Sequence, residues 1–463
     1  MKILTYQWVV SILLCCAVSH AKIVGSEPLQ KSLDNYMKVT AHNQHFSGEI
    51  LIVQNGKTLF NQRIGMASIE HQVALTQQAK YHIASITKTM TAALILMAQQ
   101  DNLLALEEKI TQYVPQLADK FNQITIANLL SHRSGLPHHE GIKNYWPVKS
   151  KIAMTKAQTL DEINHMNLLF EPGTDTYYSS PGYYLLAITL EQVYNKPFAE
   201  IRQEKILDKL NMTETGHLTN LDIVPDMTKG YHLVKGELKV APYRNYSMLT
   251  GAGDLYSTST DLMKWAQALQ RGMLLNSTTW NKFYATNHAG DSPEEEYDLG
   301  WYRNLKNRKK FYHGGGTWGY SSYLAIYPDS QTTIIVLSNV SRLAIEEMAL
   351  SIEKILFADD FKIPDLQTES TDKVANLDQY TGFFKAAHNK MILRVFKADN
   401  GLFVKLGHNP AFRIYYKNNN QFFGRKVNVE FTFESKDKQA MAINAIRNGQ
   451  QINFIKVSDM EEQ

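Results

Sequence analysis

Ala79-Lys80-Tyr81-His82-Ile83-Ala84-Ser85-Ile86-Thr87-Lys88, followed by the apolar run Met90 to Met97, is the stretch whose reading decides the fold. Its first five residues read as an extended segment and the run after Lys88 as a buried helix. Ser85 and Lys88 stand three positions apart where that helix opens. Residues so spaced share a helix face, which can set the Lys88 amine beside the Ser85 hydroxyl. A hydroxyl is a poor nucleophile until a base takes its proton. Lysine is a poor base while protonated, with a reference pKa of about 10.4. Burial and the positive end of a helix both disfavour its charged form. The pair therefore makes chemical sense only where it is partly dry and stands at a helix N-terminus.

The spacing alone is not specific. Serine, two residues and lysine recur at Ser19–Lys22, Ser351–Lys354, Ser370–Lys373 and Ser435–Lys438. Those copies read as a signal-peptide end, an amphipathic helix, a linker and a charged turn. Ser85 itself could be no more than a helix N-cap, since serine is favoured there. What singles it out is the set of blocks around it.

Working outward, Phe46-Ser47-Gly48-Glu49-Ile50-Leu51-Ile52-Val53 precedes the Ser85 block. Leu129-Leu130-Ser131-His132-Arg133-Ser134-Gly135-Leu136 follows it. Next come Phe170-Glu171-Pro172-Gly173 with Tyr178-Ser179-Ser180, then Gly251-Ala252-Gly253-Asp254-Leu255-Tyr256-Ser257-Thr258. The series closes with His313-Gly314-Gly315-Gly316-Thr317-Trp318-Gly319-Tyr320. In order and content these blocks, spanning roughly residues 25 to 360, resemble the serine hydrolases related to class C β-lactamases and penicillin-binding proteins. The resemblance implies Ser85 as the acylated nucleophile and Lys88 as its base. It implies Tyr178 as a proton relay among Lys88, Ser85 and the leaving group. It places His313 where many members carry the lysine of a Lys-Thr-Gly strand, and the backbone N–H groups of Ser85 and Gly316 as an oxyanion hole. Such a hole is needed because acyl transfer builds negative charge on the carbonyl oxygen. Gly314 and Gly315 would let a substrate approach the strand backbone closely. No cofactor and no metal are implied.

Two positions depart from the family pattern. Ser180 stands at the third place of a Tyr-x-Asn motif, and a hydroxyl is shorter than a carboxamide with a different donor set. Contact between Ser180 and a substrate's acylamino group is thereby in question. His313 replaces lysine, and imidazole, with a reference pKa near 6.5, is mostly neutral at pH 7. A permanent cation for a penicillin or terminal D-alanine carboxylate is thus missing at that position. Both departures favour D-amino-acid-containing peptides or amides and small carboxylic esters as substrates, peptidoglycan fragments among them. A class C-type β-lactamase or D,D-carboxypeptidase is the first alternative. A non-catalytic cell-wall binding or assembly protein on a hydrolase scaffold is the second. Tyr178, among Tyr177, Tyr183 and Tyr184, could instead be a packing aromatic, and His313 a satisfied strand histidine. The Leu129–Leu136 block reads as structural, with Ser131 and Ser134 as capping and turn residues. His138, His139 and Glu140 lack the helical spacing of a zinc site.

The 463 residues allow more than one domain. A formal charge of +3 gives no electrostatic case for nucleic acid. Lys2, the apolar run Trp8 to Val18, and Ser19-His20-Ala21 read as a secretory signal over residues 1–21. The run is too short to span a bilayer comfortably, and no second one follows, so the mature chain is expected to have no membrane span. Both cysteines, Cys15 and Cys16, fall inside this signal. Export without disulfides fits a periplasmic or secreted protein of a bacterial envelope. The sequence is silent on oligomeric state.

Along the chain, Lys31 to His42 reads as a short helix, and Gly48–Val53 with Lys57–Ile64 as a hairpin about Asn55-Gly56. Helical patterns dominate from about Asn102 to Met248, and Asp254 to Gln270 reads as another helix. Tyr320–Tyr327 and Thr332–Ser338 are β-rich, and Arg342–Phe357 returns to helix. The expected fold is α+β: an antiparallel sheet flanked by helices, laid on one side, with a helical subdomain. This unit covers 22–362. Residues 363–373 read as a linker, and 374–463 as eight short strands of a small antiparallel β-barrel. Leu377-Asp378-Gln379-Tyr380-Thr381-Gly382 resembles the start of the lipocalin-like domain of some relatives.

Overall fold

The structure is a computed structural model that describes residues 27–457. Positions 220, 235–236, 280–295, 305–307, 342, 360, 365–366, 372–373, 388–390, 400, 408–410, 426–428, 438 and 448–449 are left out of the description. The expected signal segment, residues 1–21, lies outside the described residues, as do parts of the expected linker.

Strands β1 (Gly48–Gln54) and β2 (Lys57–Ile64) form the hairpin expected from Asn55-Gly56. Both turn residues have positive φ, 50° and 74°, the conformation that asparagine and glycine accept most cheaply. Strands β3 (Glu296–Asp298), β4 (Trp301–Asn304), β5 (Lys310–Thr317), β6 (Tyr320–Tyr327) and β7 (Thr332–Ser338) complete a sheet of order β3-β4-β5-β6-β7-β1-β2. Every neighbouring pair is antiparallel. The two ends of the unit therefore meet inside the sheet, β1 against β7.

Helices cover both faces of this sheet, not one. On one face Ile50, Ile52, Tyr323, Ala325, Ile334 and Val336 pack under α1 (Glu27–Gln44) and α5 (Ile345–Leu356). On the other, Leu51, Val53, Leu324, Ile326, Ile335 and Leu337 join the core of α2 (Thr87–Gln100), α3 (Ser180–Tyr194) and α4 (Ser259–Gln270). The signal was present in the strands. Ile50-Leu51-Ile52-Val53 and Ile334-Ile335-Val336-Leu337 are unbroken apolar runs, as two-sided burial demands, whereas a sheet with one wet face alternates.

Two further expectations are corrected. The stretch from Asn102 to Met248 also carries strands Tyr231–Val234 and Glu237–Val240, which pair with each other. Four-residue strands are too short to stand out against a helical background. The helix expected from Asp254 begins only at Ser259. Leu255–Ser257 is a strand paired to Tyr81–His82 and Gly216–His217. Thr258 sets the start by accepting the Asp261 N–H at 3.2 Å, a side-chain N-cap.

The C-terminal strands, from Gly382–Ala386 to Gln450–Val457, form a closed antiparallel barrel of eight. Phe384, Val404, Phe422, Phe431 and Phe433 lie in its core, as expected of a barrel this small, which side chains can fill. It touches the sheet unit through Arg447, which pairs with Glu347 on α5.

Candidate active site

Ser85 sits on a 3-10 turn, Ala84–Ile86, that leads directly into α2. Ala84 holds φ at +46°, a left-handed conformation that costs a non-glycine residue about 1–3 kcal/mol unless its surroundings impose it. They do. The Ser322 hydroxyl of β6 donates to the Ile83 carbonyl at 2.8 Å. A methyl built on Gly315 of β5 would lie 2.3 Å from that same carbonyl oxygen and 2.2 Å from Ser322 Oγ. Only glycine lets the strand close on the turn, so Gly315 is required first for packing.

Lys88 is wholly buried on the second residue of α2. Its Nζ lies 3.1 Å from Ser85 Oγ, 3.1 Å from Ser180 Oγ and 2.7 Å from the Ala252 carbonyl oxygen. Burial drives its pKa well below the usual lysine value. The Arg244 guanidinium adds to that, and Asp254 opposes it. A neutral amine has two protons and one lone pair. It can donate to Ala252 O and Ser180 Oγ and accept the Ser85 proton, so all three contacts suit the basic form.

Tyr178 ends the segment before α3, and Ser179 caps that helix by accepting the Gly182 N–H at 3.2 Å. The Tyr178 hydroxyl lies near the Ser85 side chain, and its ring centroid is 4.9 Å from Lys88 Nζ. Burial pushes its pKa well above the usual phenol value, which the neighbouring Ser85 side chain partly offsets. His313, on β5, is 1% exposed. Its Nδ1 faces the Gly314 carbonyl, which can only accept, so the proton sits on Nδ1. Nε2 lies 3.2 Å from the Tyr297 hydroxyl, which also meets the Tyr183 hydroxyl at 3.3 Å. Burial, helped by Lys88, lowers its pKa to about 3, against the pull of Gly314 O.

A cavity of about 640 Å³ opens over these groups, lined by Ser85, Tyr178, His313, Gly314, Gly315 and Gly316 and, further out, Trp146, Arg244 and Glu346. A methyl on Gly316 would meet nothing within 4 Å, so this residue faces open space. The structure thus brings together Ser85, Lys88, Tyr178, His313 and the three glycines. It sets Ser180 elsewhere: 3% exposed, outside the cavity lining, with its hydroxyl on Lys88. The physical reason is length, since a serine hydroxyl at the start of α3 reaches the amine but not the cavity.

Several neighbours were missed from sequence. His132, expected to be structural, packs at a tilt against Tyr178 and Tyr297 with ring centroids 4.3 and 4.2 Å away. Its Nδ1 accepts the Ser179 N–H at 3.2 Å. His138 does the same for the Ser180 N–H at 3.1 Å. These two imidazoles hold the turn that presents Tyr178. Ser131 and Ser134 do make turn contacts, to Ala127 O and from the Leu136 N–H. Among the described residues no group of three His, Cys, Asp or Glu side chains is placed to hold a metal ion. Arg244, 6% exposed, bonds Thr317 and the Tyr145 hydroxyl, each at 3.0 Å. Asp254 is fully buried, takes two bonds of 3.2 Å from Arg202, meets His217 at 2.7 Å and accepts the Gly251 N–H at 3.1 Å. It thereby fixes the turn whose Ala252 carbonyl holds Lys88. Only a residue-pair distance, not a local pattern, could have revealed these contacts.

A buried serine–lysine pair under an antiparallel sheet, with a cavity above it, defines the class: a serine hydrolase of the β-lactamase and penicillin-binding-protein type. The chain belongs to the Beta-lactamase family, whose description fits residues 30–350. It is 23% identical over 442 residues to a penicillin-binding protein of Bacillus subtilis (strain 168), covering 91% of this chain and 97% of that one. The likeness therefore continues past residue 350. Among solved structures, the octameric penicillin-binding protein homologue from Pyrococcus abyssi superposes with a TM-score of 0.63 at 19% identity, over 92% of this chain and 99% of that chain. The D-amino acid amidase from Ochrobactrum anthropi SV3 superposes at 0.61 and 21%, over 71% and 100%. These structural likenesses establish the fold. No helix among the described residues is long and apolar enough to cross a membrane.

Proposed function

We propose that this chain is an exported serine hydrolase that works through an acyl-enzyme on Ser85. Its substrates are D-amino-acid-containing peptides or amides, or small carboxylic esters. The observation that carries the reading is the wholly buried Lys88, 3.1 Å from Ser85 Oγ at the floor of an open cavity. Neutral Lys88 takes the Ser85 proton as Oγ attacks the substrate carbonyl, and the tetrahedral oxyanion rests on the N–H groups of Ser85 and Gly316. As the bond to the leaving group breaks, the proton returns from Lys88 through Tyr178 to that group. Water then attacks the acyl-enzyme by the same relay in reverse and frees Ser85. A neutral His313 positions substrate and supplies no charge for a substrate carboxylate, which weighs against the β-lactamase and D,D-carboxypeptidase alternatives. The amidase among the structural neighbours supports the same substrate class by analogy. A signal at residues 1–21 would deliver a mature chain of a hydrolase unit (22–362), linker (363–373) and barrel (374–463) to the periplasm or medium.

The test is a panel of D- and L-aminoacyl nitroanilides, nitrophenyl esters and a chromogenic cephalosporin, run on wild type and Ser85→Ala. Labelling of wild type by a fluorophosphonate, and its loss with all turnover in Ser85→Ala, is the expected result. Turnover or labelling that survives the substitution refutes the scheme.

A further inference from the structure

We propose that Glu346 is a charge filter of the catalytic cavity, which admits substrates with a protonated amine over Gly314 and repels those with a carboxylate there. This deepens the reading above and rests on it.

Glu346 lies in the first turn of α5 and lines the same cavity as Ser85 and His313. Its Oε1 stands 2.9 Å from where a methyl on Gly314 would sit. By the resemblance to the Lys-Thr-Gly strand, Gly314 occupies the threonine's place, next to His313. At this point the sequence has removed a side chain from the strand, and a carboxylate from another element fills the space. The other acids of the helix are engaged. Glu347 pairs with Arg447, and Glu353 with Lys310 at 3.0 Å. Among the described residues none gives Glu346 a hydrogen bond or an ion pair. Glu346 keeps an exposed side, and the partial loss of water around its carboxyl pushes its pKa up, with Lys310 pulling it down. An ammonium in the cavity would relieve that cost and a second carboxylate would add to it. With His313 neutral, the strand offers nothing to offset Glu346; the cation Arg244 keeps its charge but is held at Thr317, three residues along the strand from Gly314.

Helix first turns often carry acids that complement the dipole, and Glu346 does that as well. A dipole role alone would not depend on what a substrate carries. The test uses three D-alanine p-nitroanilides on the full chain: the free amine, the N-acetyl derivative and the N-succinyl derivative. They share one scissile bond and differ in charge. Wild type should prefer the cationic compound. Glu346→Gln should lower its kcat/KM roughly tenfold, about 1.4 kcal/mol, leave the neutral compound within a factor of about two, and raise the anionic one. Glu346→Lys should reverse the order. Unchanged ratios in both variants overturn the filter while the acyl-enzyme stands. Turnover of none of the three by a wild type that a fluorophosphonate still labels also overturns the filter. Turnover or labelling that persists in Ser85→Ala overturns the underlying scheme instead.

Discussion

Asp254→Asn should be the most informative single substitution outside the cavity. Asp254 and Arg202 are both at most 1% exposed and are joined by two 3.2 Å bonds. Removing one partner of such a pair strands the other charge in a dry interior, at about 3–5 kcal/mol. Asparagine keeps the acceptor for the Gly251 N–H, so the backbone turn survives, while its amide nitrogen replaces the Oδ2 that Arg202 and His217 meet. Arg202→Met combined with Asp254→Asn removes both charges and should recover at least half of the loss, about 2 kcal/mol. The tryptophans make the assay selective. Trp146, Trp265, Trp280, Trp301 and Trp318 fall between residues 22 and 362 and none falls in the barrel, so the fluorescence of the chain without its signal follows the hydrolase unit in urea. Burial would push Asp254 up, but Arg202 and His217 together hold it well below the usual carboxylate range. A depressed folded pKa means that the stabilisation is complete above the unfolded value of about 3.9 and fades as pH falls through the folded value. The gap between wild type and variant should therefore be constant from about pH 5 to pH 7 and narrow only below about pH 4. A loss below about 1 kcal/mol at pH 7, or a double variant no more stable than the single, would refute this account of the pair.

Gly315→Ala should destabilise the fold by about 1–3 kcal/mol, the usual cost of overpacking, because its methyl would collide with Ile83 O and Ser322 Oγ. Gly316→Ala, which meets open space, should leave the urea midpoint unchanged. Equal midpoints for the two variants would contradict the assigned contacts. The pH profile of kcat/KM should lack a step near 6.5, since burial lowers His313 to about 3. Activity should instead fall on the acid side as Lys88, itself depressed, takes up a proton. A step near 6.5 that vanishes in His313→Gln would show that His313 titrates there after all.

How much of this was legible in the sequence depends on the range of the interaction. Ser85 and Lys88 are three residues apart, and one turn of helix supplies their geometry, so spacing gives the contact and the surrounding blocks single this copy out from the other four. The Asn55-Gly56 turn and the Thr258 cap act over four residues and leave local marks. The barrel strands were readable because alternation is a local property. Sheet coverage is harder to read because burial on both faces erases alternation and leaves only the apolar runs in β1 and β7 as its mark. Arg244, Asp254 and His132 carry no pattern of their own. Arg244 meets Thr317 across 73 residues, and Lys88 meets Ala252 across 164. Such pairs exist only once the chain has folded. The motif place of Ser180 is visible in the sequence, but the reach of its hydroxyl, to Lys88 and short of the cavity lining, follows only from the fold.

The means of making Lys88 basic follows from what surrounds it. His132, His138 and His313 all stand close enough for Lys88 to depress their pKa values, and burial is the larger cause in each. The lysine is thus ringed by imidazoles and phenols that are neutral at pH 7. A fixed carboxylate in hydrogen-bonding contact would have kept the ammonium form and removed the lone pair that Ser85 needs. Asp254 is instead turned to Arg202 and His217 and opposes the shift only as the last of the causes, without touching the amine. The residual cation, Arg244, pushes in the useful direction. Neutralising a buried lysine costs stability at every pH between its folded pKa and about 10.4, since the unfolded chain binds the proton that the native one refuses. The sheet and helices that enclose α2 must supply that energy. This accounts for a base seated on α2, twelve of whose fourteen residues are buried, with the nucleophile on the turn before it and the cavity open to one side.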